Sequence, residues 1–91
     1  MKAIWKFPLA VIDEQVVQMP EGAEILAVQM QGETPCLWAM VDPTDLMTDR
    51  TIRIFSTGHP ISVPSEELFH AGTLQMMNGT LVFHVFEHVV A

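Results

Sequence analysis

Apolar and polar residues alternate along most of this chain in short runs that end at Pro or Gly. The run from Arg50 to Ser56 shows the pattern best, because Ile52 and Ile54 fall on one face and their neighbours fall on the other. A repeat of two residues is the spacing of a β-strand, whose side chains point alternately to opposite faces of a sheet. The pattern therefore predicts short strands separated by turns, with no long helix.

Four segments before Arg50 show similar patterns and predict strands at Lys2–Phe7, Glu14–Met19, Glu24–Gln31 and Thr34–Asp42. The second of these also fits a single helical turn, because Asp13 could cap one. We expect an acidic loop at Pro43–Asp49 and a short helical turn at residues 64–67. Pro35 has no N–H to donate, so it predicts a strand start or an edge strand.

The C-terminal segment contains Asn78-Gly79 between two apolar runs that together extend from Leu68 to Val90. A two-residue type I′ turn needs positive φ at both central positions, and Asn and Gly tolerate this best. The sequence therefore predicts a hairpin in which residues 76–77 pair with residues 80–81.

Short, regularly spaced strands joined by turns favour an antiparallel all-β fold. We predict a small antiparallel sandwich or barrel of six to seven strands, built as one domain from residues 1–91 and ending in the Asn-Gly hairpin. Hydrophobic residues make up 49% of the chain and charged residues only 16%. A chain this short hides its apolar surface incompletely, so we expect a homo-oligomer.

The charge of the chain limits its partners. Its net charge is −7, and no Lys or Arg lies between Lys6 and Arg50 or after Arg53. Nucleic-acid binders need clustered Lys and Arg to contact phosphates, so we expect no nucleic-acid partner. No apolar run approaches the ~20 residues of a membrane helix, and Lys6 and Pro8 interrupt the apolar N-terminus. We therefore expect a cytoplasmic protein without membrane contact.

Five motifs follow one another in order: IWKFPL from Ile4, MPEGAEIL from Met19, CLWAMVDP from Cys36, TGHPI from Thr57 and LVFHVFE from Leu81. Over nearly the full length, the chain resembles a family of small proteins of unknown function found in phage and bacterial genomes. The resemblance implies a short all-β domain in a bacterial or viral cytoplasmic setting. It implies no catalytic residues, binding residues or mechanism.

Residues 84–88 have the H-x-x-E-H spacing of one metalloprotease class. That chemistry needs a helix, which places residues i and i+4 about 5–6 Å apart. In a strand, His84 and His88 would lie roughly 13 Å apart, at ~3.3 Å per residue, which is too far for one zinc ion. Because Val and Phe dominate the segment, we predict a strand with half-exposed histidines, and neither a metal site, a cofactor nor a catalytic residue.

The turn after the Arg50–Ser56 strand is the best candidate for a binding loop. Ser56 and Thr57 offer hydroxyl groups, Gly58 would let the backbone approach a ligand, and His59 can donate or accept a hydrogen bond. We expect His70 or His84 to lie nearby. The same residues also form turns for backbone reasons alone, an alternative that the sequence leaves open.

Aromatic residues are the candidates for an interface. The last strand has no Lys or Pro to protect an edge, so we expect a symmetric dimer that pairs along Thr80–Val90, with Phe83 or Phe86 near its centre. Trp5 is a further interface candidate, whereas Trp38 is predicted to belong to the core.

These observations favour a non-enzymatic binding or interaction protein, an accessory factor of a phage or bacterium that acts on a host component. The alternative is a protein that binds or sequesters a small, nucleotide-like molecule at the Ser56–His59 loop. A minor enzyme that uses His59 is the third reading.

Overall fold

The computed structural model describes residues 1–90, which form two antiparallel sheets. The strands are β1 (Ala3–Pro8), β2 (Glu14–Pro20), β3 (Glu24–Gln31), β4 (Thr34–Val41), β5 (Met47–Ser56), β6 (Leu68–Met76) and β7 (Leu81–His88). The three-stranded sheet has the order β1-β4-β3, and the four-stranded sheet has the order β2-β5-β7-β6. The predicted all-β antiparallel sandwich is confirmed, and neither sheet closes into a barrel.

The helical content of the described chain is one 3₁₀ turn, Ser65–Glu67, at the position of the predicted helical turn. Within residues 1–90, no helix has the length and apolar composition needed to cross a membrane. Residues 14–20 are a strand, so the alternative of a helical turn there is wrong.

The core lies between the inner faces of the two sheets. Leu37, Ala39 and Val41 alternate along β4 and face inward, opposite Ile52 and Ile54 of β5, whose shared face is as predicted. The remaining buried apolar side chains of the core cluster are Leu9, Met19, Ala23, Val28, Leu74 and Val85. Every second residue of a strand therefore faces the core, as the pleat requires.

The two sheets approach each other along β3 and β6, which belong to different sheets. A Cβ atom built on Gly72 of β6 would lie 2.8 Å from the backbone oxygen of Val28 in β3. Each strand also has an irregular register near this contact, between Ile25 and Ala27 in β3 and between His70 and Gly72 in β6. Such bulges bend and twist a strand, which suits two edges that meet closely without forming a ladder.

The C-terminal hairpin turns at Asn78-Gly79, as predicted. Asn78 has a φ of 56° and Gly79 a φ of 83°, and the N–H of Thr80 donates to the carbonyl of Met77 at 3.1 Å. Met77 also has positive φ, at 52°, so three successive residues have left-handed backbone.

This left-handed segment shortens the strand pairing. Met76 pairs with Leu81, as expected. The predicted strand pair of Met77 with Thr80 is wrong, because the backbone at Met77 is left-handed and no longer extended. Strand β6 therefore ends at Met76, and β7 begins at Leu81.

The positions of the strands correct two further predictions and decide a third. Strand β7 lies between β5 and β6, so it is not an edge strand. Pro35 is the second residue of β4, a central strand, so the strand start is the predicted alternative that is observed. Trp38 lies on the outer face of the three-stranded sheet, because it alternates with the inward-facing Leu37 and Ala39.

The predicted acidic loop is shorter than expected. Strand β5 begins at Met47, because residues 47–49 pair with the end of β2. The amide of Gln18 donates to the carboxylate of Asp49 at 3.0 Å across this pair. Three residues at the end of the predicted loop, Met47, Thr48 and Asp49, therefore belong to the strand.

Candidate binding cleft

Two loops and the end of β5 enclose a cleft with a volume of about 180 Å³. One wall is the connection between β1 and β2, and the other is the connection that follows β5. We call this the loop cleft, and it is lined by Val11, Ile12, Asp13, Arg53, Ile54, Phe55, Ser56, His59, Pro60, Ser62 and Phe83.

The predicted binding loop is divided between two surfaces. Ser56 and His59 line the loop cleft, and the N–H of His59 closes the turn by donating to the carbonyl of Ser56 at 3.0 Å. Thr57 instead contacts the histidine of a neighbouring strand, with 2.7 Å between its hydroxyl and Nε2 of His84. Gly58 has a φ of 85°, a left-handed conformation that the turn requires and that glycine adopts without strain.

Arg53 forms one side of the cleft, and other side chains already bind its guanidinium. Its Nη2 lies 2.6 Å from a carboxylate oxygen of Glu14, and its Nε donates to Nδ1 of His88 at 2.9 Å. Because Nδ1 must accept this bond, His88 carries its hydrogen on Nε2 and donates to Glu67 at 2.8 Å. The positive charge of Arg53 is therefore balanced inside the protein.

A second polar network lies on the outer face of the four-stranded sheet. The Thr73 hydroxyl lies 3.2 Å from Nδ1 of His84 and 3.1 Å from Nε2 of His70. The expected proximity of His84 to the binding loop is confirmed by its contact with Thr57. In this network, the two ring nitrogens of His84 contact two hydroxyls, those of Thr57 and Thr73. In a Ser-His-Asp site, the second ring nitrogen contacts a carboxylate, which stabilises the imidazolium, and the His84 network lacks such a group.

The H-x-x-E-H residues lie on β7, as the strand prediction requires. His84 and His88 share the outer face, whereas Glu87 faces inward and forms a bidentate ion pair with Arg50. Within the part of the chain that the structure describes, no group of three potential metal ligands is placed to hold an ion.

The three predicted interface residues lie in three different places. Phe83 packs against the core and reaches the base of the loop cleft. Phe86 is half-buried on the outer face, with its ring centroid 5.9 Å from Phe55 and 5.2 Å from His70. Trp5 lies on β1 of the three-stranded sheet and packs against the core from that side, beside Phe7. The structure thus does not bring them together as one surface.

Sequence reasoning missed the second wall of the cleft, formed by Val11, Ile12 and Asp13. These residues are some 40 positions from the predicted loop, and strand pairing brings them together: the N–H of Ile54 donates to the carbonyl of Asp13 at 3.1 Å. Two adjacent exposed aliphatic residues in a loop were the available signal.

The fold and the cleft define a small antiparallel β-sandwich whose candidate site is built by loops at one end of β5. The chain belongs to the family described as Domain of unknown function (DUF7352), whose sequence profile matches residues 1–91. This confirms the uncharacterised family that the five ordered motifs predict. Comparisons with curated proteins and with solved structures find no match.

Proposed function

We propose that this protein is a non-enzymatic interaction protein whose loop cleft receives one side chain of a protein partner. The size of the cleft carries the proposal. Its volume is about 180 Å³, whereas pockets for small molecules and cofactors usually hold ≈ 300–1,000 Å³. A single side chain suits this space better than a nucleotide-like ligand.

The chemistry of the cleft supports the same partner. Val11 and Ile12 are exposed at its rim, and Phe83 supplies an apolar surface. Asp13 and Ser56 are also part of the lining and can bind the backbone amides on either side of an inserted residue. An aliphatic side chain with its flanking peptide groups matches this mixture.

The two alternatives have weaker support. A phosphate in the cleft would meet Asp13, and the nearby Arg53 already binds Glu14. For an enzyme, His59 would need a nucleophile or an acid, and its side chain makes no hydrogen bond within residues 1–90 to any such group.

We extend the proposal to the cellular setting. The order of the five motifs supports an accessory factor of a phage or bacterium, acting in the bacterial cytoplasm on a host component. The excess of acidic side chains, with a net charge of −7, favours a protein partner over a nucleic acid.

A titration followed by ¹⁵N-¹H NMR tests the proposed ligand class with two probes. N-acetyl-leucine amide imitates an inserted side chain with its peptide groups, and AMP imitates a nucleotide-like ligand. We expect the first probe to shift amides in residues 11–13 and 56–62, and AMP to shift none of them. Larger shifts with AMP, or shifts elsewhere only, would reject the proposal.

Two variants make the titration specific. Ser62→Trp fills the cleft and should abolish the shifts, whereas Ser65→Trp places the same side chain on the exposed 3₁₀ turn and should leave them unchanged.

A further inference from the structure

The two sheets have four edge strands, and three of them are covered or protected. Strands β3 and β6 meet each other at Val28 and Gly72. Strand β1 follows Lys2 and has Lys6 on its outer face, and lysines of this kind keep edge strands from pairing with another chain. Strand β2 has neither a covering strand nor an interior Lys or Pro.

The open edge of β2 offers a complete set of backbone groups. In an antiparallel ladder, the N–H and C=O of one residue point to the same side, and successive residues alternate. The carbonyl of Asp13 accepts from the N–H of Ile54 in β5. By the alternation, the backbone N–H and C=O groups of Gln15, Val17 and Met19 also point towards β5. The backbone groups of Glu14, Val16 and Gln18 therefore point away from the sheet, and in the described chain no strand pairs with them.

From this we infer that β2 pairs antiparallel with β2 of a second copy of this chain, around a two-fold axis at Val16. The two four-stranded sheets then form one continuous sheet. Val16 of one copy pairs with Val16 of the other, and Glu14 pairs with Gln18, so every outward N–H of the edge finds a carbonyl. This register also places the outer faces of the two four-stranded sheets on the same side of the continuous sheet.

Charge and exposed apolar surface both fit a second copy as the partner. The strand carries one charged residue, Glu14, which the ion pair with Arg53 already balances. The register places each Glu14 opposite the neutral Gln18. Exposed apolar residues lie beside both ends of β2: Ile12 precedes its start, and Met47 of β5 pairs with Pro20 at its end. Antiparallel pairing of two copies brings Ile12 of one copy towards Met47 of the other.

Light scattering of the purified protein at micromolar concentrations tests the inference. We expect twice the chain mass of 10.2 kDa for the wild type. Val16→Lys places two like charges opposite each other at the axis and should give a monomer. Ile4→Lys is the matched control, because Ile4 is 60% exposed on edge strand β1 and Val16 is 59% exposed on β2, and it should remain a dimer.

Val16→Pro removes an N–H that the isolated chain does not use, so it should fold as a monomer. Amide exchange provides a test without any variant. The N–H groups of Val16 and Gln18 should be protected in the concentrated protein and exchange fast after dilution to monomer. A monomeric wild type, a dimer that survives both Val16 substitutions, or fast exchange of these amides within the dimer would overturn the inference.

Discussion

Gly72 lies so close to Val28 that a single added carbon would meet the backbone, since a Cβ atom at Gly72 would be 2.8 Å from the Val28 oxygen. This contact joins β6 of one sheet to β3 of the other. Real Cβ atoms do not approach backbone oxygens this closely, so one of the two strands would have to move.

Gly72→Ala should therefore destabilise the sandwich. We expect the free energy of unfolding to fall by about 1–3 kcal/mol, the usual range for an overpacked site. Urea denaturation measures the change. Thr73→Ala, at the next position and on the outer face, is the control and should have the smaller effect. An unchanged midpoint for Gly72→Ala would contradict the tight contact between the sheets.

Two substitutions in the C-terminal turn should change the stability in opposite directions. Gly79 has a φ of 83°, so Gly79→Val should lower the free energy of unfolding by more than ~1 kcal/mol, because a β-branched residue resists positive φ. Met77 has a φ of 52° and an exposed side chain, so Met77→Asn should raise the thermal midpoint, because Asn tolerates left-handed backbone. If both variants moved the midpoint in the same direction, the left-handed turn would be in doubt.

The Arg50–Glu87 pair predicts a non-additive double substitution. Arg50 donates to both carboxylate oxygens of Glu87 and also to the carbonyl of Ala23, at 2.9 Å. The hydrogen bonds that Glu87 accepts raise the pKa of Arg50 above its ordinary value. Arg50→Met leaves a part-buried carboxylate without its partner and should destabilise by about 1–3 kcal/mol.

Adding Glu87→Met to that variant should recover part of the loss, because no charge is then left unpaired. Chemical denaturation of the two single variants and the double variant measures the coupling. Strictly additive effects would show that the pair contributes little.

Asp42, directly before the acidic loop, predicts a local dependence of stability on pH. The hydroxyl and the N–H of Thr44 both donate to Asp42, at 2.7 and 3.0 Å, and they lower the pKa of this carboxyl below its ordinary value of 3.8. The folded state thus gains stability from the ionised carboxylate above pH 3.8, and this gain disappears as the pH falls through the lowered pKa. Thr44→Ala should raise the pKa of Asp42 in an NMR titration, and Thr44→Ser should not. Equal values in the wild type and Thr44→Ala would refute the assignment.

Local patterns in the sequence predict the strands and turns well. Alternation identified the faces of β5, and Asn78-Gly79 identified the hairpin, because both depend on residues close in the chain. The order of strands depends on long-range pairing instead. For this reason the local pattern wrongly predicts an edge position for β7, the last strand in the chain. Trp38 is wrongly predicted to belong to the core, because the usual burial of Trp in small all-β domains does not indicate which face of the sheet it lies on.

The site shows the same limit. Ser56 and His59 were recognised because they occur in one turn, and they line the cleft. The opposite wall at residues 11–13 and the Arg53–His88–Glu67 chain come from separate segments, and no local pattern links them. Only the folded chain reveals that Thr57 and His59, two residues apart, serve different surfaces.

Photo-crosslinking in bacterial cells tests the central claim, that the loop cleft holds part of a protein partner, most directly. A photoreactive residue replaces His59 at the cleft, in the wild-type background and together with Ser62→Trp or Ser65→Trp. The account predicts one dominant crosslinked host protein, lost with Ser62→Trp and retained with Ser65→Trp. The same products in both variants, or crosslinks to a second copy of this chain alone, would contradict it.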